Sequence, residues 1–305
     1  MRGGFVESVH HGSVVVTAPD GTPDLALGDV RSPILPRSAN KPLQTLAMVR
    51  AGLHLPAELL ALASASHSGE PFHLDGVRAI LAGAGLTEAD LQNTPDLPHG
   101  QQAREDWLRA GRGPERIAQN CSGKHAAMLA TCCVNDWDTG SYREPSHPLQ
   151  QAMEATLASL AHEPVAATVV DGCGAPAMAL TLTGLARAFG TLAAAPSTTL
   201  QGEVAHAIRA APEWLGGTGR DVTDLIRGLP GAISKDGAEG VHAVGLPDGR
   251  GIALKIADGS QRARPVVLAA VLRRIGIEAP VLEQLADVPV FGHGERVGSV
   301  VAVGI

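Results

Sequence analysis

Ser38 and Lys41 are the first side chains in this sequence whose types and spacing could do covalent chemistry. A serine hydroxyl becomes an effective nucleophile when a base removes its proton. Residues three apart on a helical turn lie on one face, so the lysine amine can reach the hydroxyl. The pair therefore predicts a serine nucleophile with lysine as its base. A helix cap followed by a solvated lysine is the alternative interpretation.

A lysine that acts as a base must be uncharged. The ordinary lysine pKa is about 10.4, so neutrality near pH 7 requires about 4 kcal/mol from the surroundings. Burial or a second cation could supply this free energy. Pro42 has no N–H and is tolerated in a first helical turn, so we expect a helix to begin near Ser38.

Two later strings could complete such a site. Residues 66–70 read Ser-His-Ser-Gly-Glu, and a second hydroxyl such as that of Ser68 could relay a proton. Lys235, two residues before a glycine at the end of a predicted strand, matches the Lys-x-Gly pattern of serine β-lactamases and penicillin-binding proteins. Lys255 on the following strand is a rival for this role. The alternatives are a polar capping loop and a solvated turn lysine.

A third group consists of Cys121, Lys124, His125 and Cys173. Two thiols with an imidazole or a neutral amine could bind zinc, although the spacing matches no structural zinc pattern. Buried inert thiols are the alternative. Disulfides are not expected, because we predict a cytoplasmic protein.

Composition narrows the class of protein. The 305 residues include 45% hydrophobic ones, enough for a large core, but only 3% are aromatic. A net charge of -7 argues against a nucleic-acid surface, which needs clustered lysine and arginine. There is no apolar run of about 18 residues, and the N-terminus has no signal-peptide pattern. These features predict an enzyme or binding protein that acts away from nucleic acids and membranes.

The pattern of elements predicts a single domain of the α/β (α+β) class over residues 1–305. We expect strands at 4–10, 13–18, 24–27, 232–235, 241–246, 251–256 and 297–303. The β-branched run 165–170 should be a further, buried strand. Helices are expected across about 42–230. The result is one antiparallel sheet from about 1–35 and 231–305, with helices on its faces and a helical insertion.

Six strings occur in one order along the chain, and together they are far more specific than any one of them. They are Arg-Ser-Ala-Asn-Lys-Pro at 37–42, Ser-His-Ser-Gly-Glu at 66–70, Asn-Cys-Ser-Gly-Lys-His at 120–125, Asp-Gly-Cys-Gly-Ala-Pro at 171–176, Gly-Thr-Gly-Arg at 217–220 and Lys-Asp-Gly-Ala-Glu-Gly at 235–240. In these strings the chain resembles the rhizobial-type (class-three) L-asparaginases, the asparaginase II family. The resemblance covers nearly the whole chain.

The resemblance implies a fold related to serine β-lactamases and glutaminases, and hydrolysis of L-asparagine to L-aspartate and ammonia. It implies two Ser-Lys pairs, Ser38 with Lys41 and Ser68 with Lys235. It also implies a zinc ion and a homodimer. The implied zinc ligands are Cys121, Lys124 and Cys173, and the residues expected near the substrate are Arg37, His125 and Asp171.

On this basis the expected mechanism is acyl transfer in which Ser38 attacks the side-chain amide and Lys41 moves the proton. Zinc is expected to help bind the substrate and is given no role in activating water. Two rivals remain open. One is a penicillin-binding or β-lactamase-like serine hydrolase, and the other is a non-catalytic zinc-binding protein.

Overall fold

A computed structural model describes all residues, 1–305. Strands cluster near both ends of the chain and most helices lie between them, and each α-helix and strand is numbered in chain order. They are β1 (Gly12–Thr17), β2 (Pro23–Leu27), α1 (Lys41–Arg50), α2 (Ala57–Ala63), α3 (Pro71–Gly83), α4 (Gln101–Arg109), α5 (Ser122–Val134), α6 (Pro148–Ala161), β3 (Thr168–Val170), β4 (Pro176–Met178), α7 (Leu182–Ala194), α8 (Leu200–Ala210), α9 (Pro212–Leu215), α10 (Asp221–Gly228), β5 (Ile233–Gly237), β6 (Val241–Gly245), β7 (Gly251–Ile256), α11 (Arg264–Arg274), α12 (Val281–Ala286), β8 (Pro289–Gly292) and β9 (Glu295–Ser299).

The main sheet has five antiparallel strands in the order β2-β1-β7-β6-β5. Its N-terminal pair lies beside the last strand of the C-terminal meander, because β1 pairs with β7. This confirms the prediction of one antiparallel sheet built from both ends of the chain. The helices from α1 to α10 lie between the two contributions in sequence.

The valine run of β1 shows how this sheet is buried. Val15 belongs to the large core cluster of 56 residues, which includes α7. Val14 and Val16 belong to a second cluster of 18 residues, which includes α11. Successive strand residues point to opposite faces, so an unbroken apolar run requires cover on both. Helices therefore cover both faces of the sheet.

The two terminal strands differ from expectation. Residues 4–10 form no strand, apart from an isolated bridge between Arg2 and Phe5. The last strand is β9, and it pairs with β8 in a separate two-stranded hairpin. The N-terminal residues add to that hairpin, since Gly3 N–H donates to Val297 O at 2.8 Å. The termini thus pair with each other, because β1 is already paired on both sides within the sheet.

The strand predicted at 165–170 forms in part, but the prediction that it is buried is wrong. Only Thr168–Val170 form a strand, it pairs with β4 alone, and all three residues are exposed. Val170 is 80% exposed. β-branched residues favour strands, but burial depends on a covering layer, which this short hairpin has on its β4 side only. Its turn carries residues 171–175, which enter the site described below.

No helix in the structure combines the length and the apolar character that crossing a membrane requires.

Candidate active site

The turn that carries Ser38 is held against the end of β5. Residues 37–40 form a 3-10 turn that leads directly into α1 at Lys41. The helix predicted near Ser38 thus begins as a tighter turn, and Ser38 is partly exposed. A Cβ atom added at Gly237 would lie 2.5 Å from Pro36 O and 3.2 Å from Ala39 N. Only glycine allows β5 to pass this close to the turn.

Lys41 is buried, with 1% of its surface exposed. Its amine donates to Ala65 O at 2.5 Å and to Ser66 Oγ at 3.1 Å, and it lies 3.1 Å from Cys121 Sγ. None of these partners is a carboxylate. The hydrogen bond with Cys173 and burial raise the pKa of the Cys121 thiol to about 12. The Lys41 amine thus has polar contacts but no counter-ion.

The loop at 66–70 is fixed through His67. Its ring Nε2 lies 2.9 Å from Ser122 Oγ at the start of α5. Ser122 donates its hydroxyl proton to Ile117 O at 2.8 Å, so the histidine must donate through Nε2. Burial lowers the pKa of His67 well below its usual value, which keeps the ring neutral. The loop is therefore tied to the helix that also begins beside Cys121.

Ser68 lies on the other side of this loop, against residues 216–218. Its hydroxyl donates to Gly216 O at 3.0 Å. A Cβ atom at Gly217 would lie 2.0 Å from Ser68 Oγ, so glycine is required there, and its φ is +127°. Glu70 accepts hydrogen bonds from both Thr218 N and Thr218 Oγ1 at 2.8 Å. The Gly-Thr-Gly-Arg string is thus bound directly to the serine loop.

Lys235 is fully buried on β5 beside an aspartate. Its amine donates to Asp236 O at 2.7 Å and to Asp236 Oδ1 at 2.5 Å. Arg220 donates to the other carboxylate oxygen, Oδ2, at 3.0 Å. Burial lowers the pKa of Lys235 to about 8, with Asp236 opposing this shift and the Lys41 charge adding to it. Burial opposes ionisation of Asp236, but Lys235 and Arg220 hold its pKa well below the usual value.

The three residues predicted to bind zinc lie in contact. Lys124 Nζ is 3.4 Å from Cys173 Sγ, and the Cys121 and Cys173 side chains share a hydrogen bond. That bond, with the charge of Lys124, lowers the pKa of Cys173 to about 5 despite its burial. Burial disfavours the charged Lys124 amine, but the two sulfurs raise its pKa overall. Two sulfurs and an amine nitrogen fit zinc chemically.

Whether zinc fits this group of residues depends on the amine of Lys124. No group of three or more His, Cys, Asp or Glu side chains is placed to hold a metal ion. Zinc at this position would therefore take Lys124 as a third protein ligand, which requires loss of the ammonium proton. Asn120 and Lys41 also contact Cys121, at 3.1 Å each. The candidate metal centre and the candidate base thus share one sulfur.

The predicted substrate residues form two contacts near this centre. Arg37 Nε donates to Asp171 Oδ1 at 2.7 Å. Burial opposes the charge on Asp171, but Lys124 and Arg37 lower its pKa. His125 Nδ1 lies 2.7 Å from the Tyr142 hydroxyl, and His125 Nε2 is buried without a hydrogen-bond partner. Burial lowers the pKa of His125 well below its usual value.

The structure brings most of the predicted groups together, with two differences. The hydroxyl bonded to Lys41 is that of Ser66, not Ser38, and no hydrogen bond joins Ser68 to Lys235. The rival Lys255 donates to Glu239 O and Ile256 O, both at 2.6 Å, and contacts none of the predicted site residues.

Ser66 and Arg220 lie in the site, but no role was predicted for either residue from the sequence. Both occur in the strings quoted above, at 66–70 and 217–220. In the folded loop, Ser66 Oγ faces the Lys41 amine, whereas Ser68 Oγ faces Gly216 O. The spacing of the two serines in the sequence does not predict which of them contacts the lysine.

The sequence profile of the L-asparaginase II family matches residues 1–302. No curated protein matches the chain. Among solved structures, the fold resembles a β-lactamase from Mycobacterium bovis, with 16% identity, coverage of 87% of this chain and 95% of that one, and a TM-score of 0.47. It also resembles EstCE1, a hydrolase with promiscuous acyltransferase activity, with 13% identity, coverage of 90% and 93%, and a TM-score of 0.44.

Proposed function

Because the chain belongs to the L-asparaginase II family, a family of amidohydrolases, we propose that it converts L-asparagine and water to L-aspartate and ammonia. We further propose a covalent acyl-enzyme mechanism at the two Ser-Lys pairs. The observation that carries this proposal is the environment of Lys41. A buried amine whose partners are a carbonyl, a hydroxyl and a thiol is placed to exchange a proton with a neighbouring alcohol.

In the proposed reaction, Ser38 Oγ attacks the side-chain amide carbon of asparagine, and Lys41 accepts the hydroxyl proton. The same proton then passes to the departing ammonia, which leaves an aspartyl ester on the serine. A water molecule hydrolyses this ester with Lys41 again as base. Ser66 accepts a hydrogen bond from the Lys41 amine, and Ser68 and Lys235 make up the proposed second pair.

We propose that Arg37, His125 and Asp171 lie against the substrate's amino-acid end, with the Asp171 carboxylate facing the α-ammonium group. Zinc, when bound by Cys121, Lys124 and Cys173, would fix the positions of the residues at this end of the pocket, while the two thiolates would balance its charge. Measuring zinc by elemental analysis, in the wild type and in Cys173→Ser, tests the ligand set. Chelation that preserves the fold should raise KM more than it lowers kcat, whereas a metal hydrolase would lose kcat.

The central experiment measures ammonia release from L-asparagine, L-glutamine and a dipeptide amide, and then traps the acyl-enzyme for mass spectrometry. We expect turnover of L-asparagine and an adduct on Ser38, which Ser38→Ala abolishes. Ser64→Ala is the matched control, because this buried serine bonds only to Thr45 Oγ1 and Leu60 O. An adduct on Ser66 or Ser68 alone would reject Ser38 as nucleophile.

The same preparation separates the two rivals. Acylation by penicillin without ammonia release would indicate a penicillin-binding or β-lactamase-like hydrolase. Absence of ammonia release from every amide, with zinc bound, would indicate a non-catalytic zinc protein. The family resemblance also implies a homodimer, which we propose for this chain and which sedimentation velocity measures directly.

A further inference from the structure

The Gly-Thr-Gly-Arg string at 217–220 has no role in the mechanism above, yet it lies across the site. Gly217 packs against Ser68, and Thr218 is bonded to Glu70 in the serine loop. Arg220 then reaches β5, where it donates to Asp236 beside Lys235. The string therefore joins the serine loop to the lysine strand, and Arg220 is its last residue.

Only one of the two terminal nitrogens of the Arg220 guanidinium has a hydrogen-bond partner. Its Nη2 donates to Asp236 Oδ2, while its Nη1 is buried and has no hydrogen-bond partner. A buried N–H group without an acceptor is unfavourable and uncommon in folded proteins. The side chain as a whole is 20% exposed although Nη1 itself is buried, so binding of a ligand at Nη1 requires a shift of this side chain. A guanidinium with an open N–H group is suited to bind a carboxylate.

The balance of charge favours an anion at this position. With Lys41 neutral as the proposed base, Lys235 and Arg220 carry two positive charges in this region, and Asp236 is the one carboxylate bonded to them. The other candidate arginine, Arg37, already donates to Asp171. Arg220 is therefore the arginine of the site with a buried donor still open.

We propose that Arg220 binds the α-carboxylate of the amino-acid substrate through Nη1 and makes the enzyme selective for free asparagine over α-amides and peptides. This proposal rests on the proposed function. An incoming carboxylate oxygen would satisfy the buried donor. Asp236 would act as a positioning residue, because it fixes the guanidinium through Nη2.

The test compares L-asparagine with its α-amide, which lacks the α-carboxylate, in the wild type, Arg220→Gln and Arg220→Lys. Side-chain hydrolysis of the α-amide is followed by chromatography of its product, L-aspartic acid α-amide. In Arg220→Gln we expect kcat/KM for asparagine to fall about 10- to 100-fold, mainly through KM, as expected for one charge-assisted hydrogen bond. The value for the α-amide should stay nearly unchanged, and Arg220→Lys should be intermediate.

Arg227→Gln is the matched control, since Arg227 is an exposed arginine of α10 that pairs with Glu213. It should leave both substrates unaffected. An equal loss for both substrates in Arg220→Gln, with the thermal unfolding transition retained, would overturn the proposal and leave Arg220 a purely structural partner of Asp236.

Calorimetric binding of L-aspartate gives a second readout that does not depend on turnover. Affinity should fall about 10- to 100-fold in Arg220→Gln and not in Arg227→Gln. If the wild type hydrolyses no asparagine, the proposed function fails. Unchanged affinity for L-aspartate in Arg220→Gln would overturn the present proposal whatever the turnover.

Discussion

The site has two sides, each with a buried lysine, and the two lysines have opposite surroundings. On the helical side, Lys41 is bonded to a carbonyl and a hydroxyl and lies against a thiol, without a counter-ion. On the sheet side, Lys235 is bonded to the Asp236 carboxylate, which Arg220 also contacts. A charge in a low-dielectric interior needs a compensating charge. The helical side is therefore suited to a proton acceptor, and the sheet side to a fixed positive charge.

From this difference we propose distinct tasks for the two lysines. A base must change its protonation during turnover, so strong ion pairing would hold it in one state. An electrostatic partner works best when its position is fixed, and Asp236 both bonds the Lys235 amine and raises its pKa. Each of the following experiments changes one side of the site or the contact between the two sides.

Replacing Lys41 by methionine should have the largest effect. The substitution keeps the buried volume but removes the proposed proton acceptor, so we expect kcat to fall about 10³-fold. Steady-state ammonia release measures it. Lys255→Met is the control, because that amine bonds only backbone oxygens outside the site. Retention of more than a tenth of the activity in Lys41→Met would contradict the role of Lys41 as base.

Asp236→Asn tests the sheet side. The change leaves Lys235 and Arg220 without their shared counter-charge, and breaking a buried pair should destabilise the fold by about 3 kcal/mol. Urea unfolding measures the loss. Asp248→Asn removes the exposed pair with Arg250 and should cost about 0.5 kcal/mol or less. Equal losses in the two variants would show that the buried pair contributes no more than a surface one.

Gly237→Ala tests the contact that joins the two sides. The new methyl group would lie 2.5 Å from Pro36 O, so the strand or the Ser38 turn must move. We expect a loss of about 1–3 kcal/mol in stability, together with reduced activity. Gly83→Ala has open space around its Cβ and should be neutral or slightly stabilising. Wild-type activity in Gly237→Ala would show that the close approach is not needed for the chemistry.

The pH dependence gives the smallest and most specific effect. If catalysis requires a charged Lys235, kcat/KM should decrease as the pH rises through about 8. This is the value to which burial lowers the pKa of the Lys235 amine. The Asp236 carboxylate raises the pKa of Lys235, so Asp236→Asn should move the alkaline limb of the kcat/KM–pH profile to lower pH. The Arg220 charge lowers it, so Arg220→Gln should move the limb to higher pH. A limb that stays in place in both variants would exclude Lys235 as its origin.

Local patterns predicted much of this structure. The helices expected across about 42–230 include α6, which begins at Pro148, and α8, which covers Leu200–Ala210. Proline in the first turn and apolar periodicity are local signals, and they act before tertiary contacts form. The order of the six strings likewise identified the family, because each string meets a local backbone or chemical requirement.

Burial and contact were decided by tertiary structure. The valines at 169 and 170 form a strand as their β-branched side chains favour, but the hairpin leaves them exposed. Strand propensity acts through the residue itself, whereas burial depends on a covering layer supplied from elsewhere in the chain.

By itself, the sequence determined which kinds of groups the candidate site contains: serine hydroxyls, lysine amines, two thiols, and glycines where the chain must pass closely. Only the folded chain decided which groups meet. Lys41 reaches Ser66 and Cys121, from segments 25 and 80 residues away, and Arg220 reaches Asp236. Such contacts depend on the packing of distant elements, which no local pattern encodes. The packing left Lys41 without a counter-ion and gave one to Lys235.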